Sequence, residues 1–146
     1  MFKYGCRCSR ACRHHPRNDL GRLCRFSVHA RTTLVSWPRA LDPIARRLAV
    51  SVVDAEAYVR GTVRQLVDIM FVESVRLNDV WADVYGCYRN GLGWYAKIYE
   101  SDDGLAVISH HEPERPLMTI AKQVIYPAQP TGPGAAAFNE DDHGHP

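Results

Sequence analysis

The residues best equipped for chemistry lie between Tyr95 and Glu112. Tyr95, Lys97 and Tyr99 occupy alternate positions, so a strand would present a phenol, an ammonium and a second phenol in a row on one face. His110 and His111 close the next apolar run. An imidazole beside such a face suits general acid–base work, because its ordinary pKa lies close to neutrality. Adjacent strand residues point to opposite faces, so only one of the two histidines can join Tyr95 and Lys97. Which one is open at this level, and the plainer alternative is a solvated pair.

A second set of chemically capable residues stands near the start: Cys6, Cys8, Cys12, His14 and His15, with Cys24 further on. Thiolates and imidazoles are zinc's preferred ligands, and Cys6, Cys8, Cys12 and Cys24 could close a tetrahedral site. The spacing is not that of paired C-x2-C units. The competing readings are a disordered basic arm and a leader translated from too far upstream.

The elements that must hold these residues can be read from periodicity. From about Ala40 to Leu77 the pattern is helical. Asp42 and Pro43 read as N-cap and first helical residue, and Asp54 as a second N-cap. Val59, Val63, Leu66, Val67, Met70 and Ser74 then form an apolar stripe at helical spacing. Trp81 to Glu112 reads as a three-stranded antiparallel meander. Asn90-Gly91 is the strongest of its turn signals, since both residues tolerate positive φ. On the middle strand Trp94, Ala96 and Ile98 form an apolar face opposite Tyr95 and Lys97. Leu117 to Tyr126 fits either an edge strand or a short helix.

Composition sets the frame. The chain has 146 residues, 46% of them hydrophobic and 23% charged, which is globular rather than disordered. Residues 1 to 31 carry eight basic side chains against one acid, leaving 10 basic and 15 acidic residues beyond. The division expected is a basic, disordered Cys/His-rich arm (1–34), an α+β domain (35–126) and a disordered tail (127–146). No apolar run is long enough to span a bilayer and no signal-peptide core is present, so a soluble cytoplasmic protein without a membrane partner is expected. Five cysteines, an odd number, argue against a disulfide framework.

Trp81-Ala82-Asp83-Val84-Tyr85, followed after nine residues by Tyr95-Ala96-Lys97-Ile98, resembles the signature of the MqsR toxins, messenger-RNA interferases with a RelE-like fold. Val107-Ile108-Ser109-His110-His111-Glu112 is similar to the family's final strand, after a one-residue insertion in the preceding turn. The resemblance covers about a quarter of the chain. It implies an α+β fold of one or two helices on a three- to four-stranded antiparallel meander. It also implies a type II toxin that cleaves RNA without a metal or other cofactor, free or on the ribosome, and a cognate antitoxin as partner. Carried over by motif, Tyr95 matches the family's middle-strand tyrosine and His111 its terminal-strand lysine. Lys97 and Arg89 would stabilise charge, and Arg76 and Arg115 would add to an RNA-binding patch. Two departures stand out: Ala82 replaces a glutamine, and the lysine of the preceding helical region has no counterpart. A catalytically silent module that binds protein or nucleic acid through the Tyr95/Lys97 face is the alternative.

Overall fold

Alternating side chains and tight turns place residues 80 to 111 at the centre of a sheet, seen here in a computed structural model that describes residues 10–18, 37–101 and 104–128. The sheet has five antiparallel strands in the order β1 (Ala11–Cys12), β2 (Phe71–Leu77), β3 (Val80–Arg89), β4 (Leu92–Ser101) and β5 (Gly104–His111). Asn90 (φ 51°) and Gly91 (φ 80°) make the β3–β4 turn as expected. Among the described residues three helices, α1 (Trp37–Ala40), α2 (Asp42–Leu48) and α3 (Val52–Gln65), precede β2. A two-stranded sheet, β6 (Leu117–Met118) and β7 (Val124–Ile125), follows β5 and settles the ambiguous segment as a small hairpin. No helix among the described residues is long and apolar enough to cross a membrane.

The helical stripe ends sooner than its spacing suggests. α3 stops at Gln65, a short 3-10 turn spans Asp68–Met70, and Phe71 opens a strand. Pairing explains the difference: Asn78 at φ 52° closes a two-residue turn after Leu77, and β2 joins the ladder of β3 from Leu77↔Val80 to Phe71↔Tyr85. Strand hydrogen bonds with a partner already in the sheet outweigh a helical spacing carried by only four further residues. Both expected caps also shift by position. Ser51 caps α3, its hydroxyl accepting from the Asp54 N–H at 3.2 Å, so Asp54 lies inside the first turn. Leu41 precedes α2 in a helical conformation, because α1 runs straight into it, and Asp42 makes no cap.

The core lies between α3 and one face of the sheet. Val59 and Val63 of α3 and Leu66 beyond it meet Phe71, Tyr85, Trp94 and Ile98. Each such buried aliphatic contributes about 1.5–3 kcal/mol. Trp94 Nε1 donates to the Tyr58 hydroxyl at 2.9 Å, satisfying the indole at the edge of this core. α1 and α2 pack against β5, and Ala40, Leu41 and Ile44 are fully buried in the same core.

On the opposite face the β6–β7 hairpin lies against Gly86 and Gly93. A Cβ on Gly93 would stand 2.7 Å from the Tyr126 carbonyl oxygen and 3.0 Å from Ile125 Cγ2, so only glycine admits the approach.

Of the segment expected to be a disordered basic arm, residues 10–18 dock on the sheet, and Ala11–Cys12 join it as a strand. Ala11 pairs with Val75 and Cys12 with Ser74. The carboxylate of Asp83 explains the docking. It is fully buried and accepts from the Arg17 N–H at 3.0 and 3.1 Å, from the Asn18 N–H at 2.7 Å and from the Ser74 hydroxyl. A buried charge needs such donors, and here they come from the N-terminal backbone. The remainder of the arm and the tail beyond residue 128 lie outside the described residues.

Candidate active site

A β-bulge determines which histidine faces the site. Counting back from the Ser101↔Gly104 pair, a regular ladder would set Tyr95 opposite His110. The register shifts where Lys97↔Ser109 is followed by Ile98↔Val107, leaving Ile108 as the extra residue. Tyr95 therefore pairs with His111, and Ala96 with His110.

The two histidines consequently have opposite environments. His110 is fully buried among Trp94, Tyr58 and Thr62, with Nε2 2.9 Å from Thr62 Oγ1. Burial, with the nearby Arg89, His111 and Arg47, pushes its pKa down to about 3, so it is a neutral core residue. His111 is half-buried and stacks on Tyr95, with ring centroids 4.6 Å apart and planes 13° from parallel. Its Nδ1 lies 2.7 Å from the Glu112 carbonyl oxygen. Only an N–H can satisfy that oxygen, so in the neutral ring the lone pair sits on Nε2.

Lys97 Nζ lies 5.8 Å from the Tyr95 ring centroid. Partial burial and the adjacent Arg39 lower its pKa, against the opposing effect of Glu73. Tyr95 moves the other way: burial first, then Glu73, raise its phenol to about 12. The phenol thus remains protonated and can stack or donate a hydrogen bond, but it is no base at neutral pH.

Lys97 and His111 line a groove of about 800 Å³. Lys97, Ser109 and His111 form the sheet side, and Arg39, Arg46 and Arg47 the helical side. Glu112 and Glu114 stand at the rim. The arginines were not singled out in the sequence, because only the packing of α1 and α2 along β5 brings them to the strands. Their roles differ. Arg47 donates to the Gly93 carbonyl at 2.6 Å, lies 4.5 Å over the Trp94 ring and reaches Glu112 at 3.8 Å, so it straps the helix to the sheet. Arg39 and Arg46 are exposed along the groove and suit an anionic ligand.

Of the three arginines expected to bind RNA, Arg89 is drawn away. Its guanidinium donates to the Tyr58 carbonyl at 2.6 Å and to Thr62 Oγ1 at 2.7 Å, 3.7 Å over the Tyr58 ring on the helical side. Arg76 is exposed near the β2–β3 turn, donating to the Asn78 carbonyl at 3.1 Å. Arg115 lies close enough to Tyr95 to affect its pKa and lines a neighbouring groove. Ala82 is fully buried on β3 and brings no polar group to the place of the resembling family's glutamine.

The zinc expectation falls mostly outside the described residues, where Cys6, Cys8 and Cys24 lie. Cys12 is buried with its Sγ 3.7 Å from His14 Nδ1 and 3.9 Å from His15 Nδ1. Among the described residues no group of three or more His, Cys, Asp or Glu side chains could hold a metal.

What the fold and site define is an α+β protein whose antiparallel sheet carries a basic groove lined by His111 and Lys97, with Tyr95 stacked on the histidine. The chain matches no protein-family model and no curated protein.

Proposed function

We propose that this chain is a metal-independent endoribonuclease of RelE-like architecture, acting on messenger RNA as the toxin of a type II toxin–antitoxin pair. The observation that carries the reading is the stacked Tyr95–His111 pair beside Lys97, facing Arg39 and Arg46 across one groove. RNA brings its own nucleophile, so cleavage needs a base, an acid and charge stabilisation in the right order.

In this reading His111 Nε2 takes the 2′-hydroxyl proton as O2′ bonds to the adjacent phosphorus. Arg39 and Arg46 neutralise the growing charge on the nonbridging oxygens. The bond from phosphorus to O5′ breaks, and Lys97 gives its proton to the departing oxygen. A lysine with a lowered pKa is a stronger acid than an ordinary one. His111 pairs with and stacks on Tyr95, two residues or about 6.6 Å along β4 from Lys97, so base and acid can flank one phosphate. The products are a 2′,3′-cyclic phosphate and a 5′-hydroxyl, and the proton count closes without a metal.

The test incubates the purified full-length chain, free of antitoxin, with messenger RNA, with and without ribosomes. Cleavage to cyclic-phosphate ends is expected, reduced about 10²–10⁴-fold by His111→Gln. If neither condition yields cleavage from folded protein, the reading is wrong. The buried Ala82 favours the second reading, a silent module that uses the same face for binding. In that case RNA affinity survives His111→Gln, fails with Lys97→Glu, and no cleavage accompanies either.

A further inference from the structure

We propose that residues 10–18 build a second nucleotide-binding groove on the same sheet face, holding single-stranded RNA beyond the scissile phosphate; this rests on the ribonuclease reading. The segment is fixed by more than the β1 pairing. The Arg76 N–H donates to the Arg10 carbonyl at 2.9 Å, and Asp83 gathers the Arg17 and Asn18 amides. Asn18 then bridges two strands, donating to the Trp81 carbonyl at 3.0 Å and accepting from the Glu100 N–H at 2.9 Å. Arg17 lies 4.5 Å over the Trp81 ring. These bonds hold Arg13 beside the sheet.

Arg13 faces Arg115 and Lys122 across a groove of about 590 Å³, whose one acid among the described residues is Glu73. That volume lies within the roughly 300–1,000 Å³ typical of small-ligand sites. Met118 and Ile120 in the lining are 56% and 40% exposed, giving apolar surface for a base in a groove that also holds three cations. The groove adjoins the first one. Glu114 lines the first groove and Arg115, its neighbour in sequence, lines this one. Glu73 lines the new groove, and its carboxylate is 3.6 Å from Arg13. A peptide strand fits less well, because β1 already occupies the β2 edge over Ser74 and Val75 and denies it a ladder there.

The test uses full-length His111→Gln protein, which keeps RNA intact, and a fluorescent ten-nucleotide single-stranded RNA. Anisotropy titrations between 50 and 200 mM salt are compared with those of the same protein carrying Arg13→Ala, Arg115→Ala and Lys122→Ala. All three side chains lie on the surface, and thermal melting checks that the fold is kept. Each lost phosphate contact lowers the slope of log K against log salt by about 0.7 for a single strand, so the triple variant should lose about 2 units. An unchanged slope, with binding still abolished by Lys97→Glu, overturns the second groove and leaves the ribonuclease reading standing. Absence of any RNA binding by the parent overturns both. Tighter binding of a ten-residue poly-glutamate than of RNA, lost in the triple variant, would make the groove a protein-docking surface and overturn the proposal.

Discussion

Acidification should unfold this protein largely through His110, and replacing that residue with phenylalanine should blunt the effect. The folded pKa is about 3 against about 6.5 for an unfolded histidine. Between those values the unfolded chain holds a proton that the folded chain refuses, so stability is full above pH 6.5 and is lost as pH falls towards 3. At pH 5.0 the unfolded histidine is protonated about thirtyfold over neutral, which amounts to about 2 kcal/mol relative to pH 7.5. At pH 4.0 the loss reaches about 3 kcal/mol. Phenylalanine keeps the ring contacts with Trp94 and Tyr58. Thr62 Oγ1 still donates to the Tyr58 carbonyl and accepts from Arg89, so no polar group is stranded. Urea unfolding of both proteins at pH 7.5 and 5.0 isolates the effect, since the other titrating groups are shared. The parent should lose about 2 kcal/mol more than His110→Phe over that interval. If the two pH dependences coincide within about 0.5 kcal/mol, His110 is not buried neutral beneath α3, and the pairing of Tyr95 with His111 falls with it.

Three further outcomes follow from the same structure. RNA cleavage should decline on the alkaline side at a pH below that of an ordinary lysine, because Lys97 acts in its charged form and its pKa is lowered; Lys97→Arg should remove that limb of the pH–rate profile. Asp83→Ala should cost about 2–4 kcal/mol in urea unfolding by stranding the Arg17 and Asn18 amides and the Ser74 hydroxyl, and hydrogen exchange at Arg17 and Asn18 should accelerate. Gly93→Ala should cost about 1–3 kcal/mol in urea unfolding by forcing the β6–β7 hairpin off the sheet, since the added Cβ would stand 2.7 Å from the Tyr126 carbonyl oxygen.

Local pattern was enough for the centre of this molecule. The Asn90-Gly91 turn, the inward Trp94, Ala96 and Ile98 and the outward Tyr95 and Lys97 follow from a two-residue repeat, which the backbone of any strand imposes. The stripe of Val59 and Val63 was equally legible, for the same reason at helical period. Everything that depended on a partner distant in sequence was not. Phe71 to Leu77 became a strand because β3 was there to pair with it, and residues 10–18 joined the sheet because Asp83 needed donors. Arg89 went to Tyr58 and Thr62 rather than to the groove, while Arg39 and Arg46 came to it on helices that cover β5. The choice of His111 over His110 turned on one bulged residue, Ile108. Tyrosine, lysine and histidine can be assigned to strands by repeat alone, but a single extra residue reverses which face they share, and only the packed sheet selects the register that buries His110 and leaves His111 in the groove.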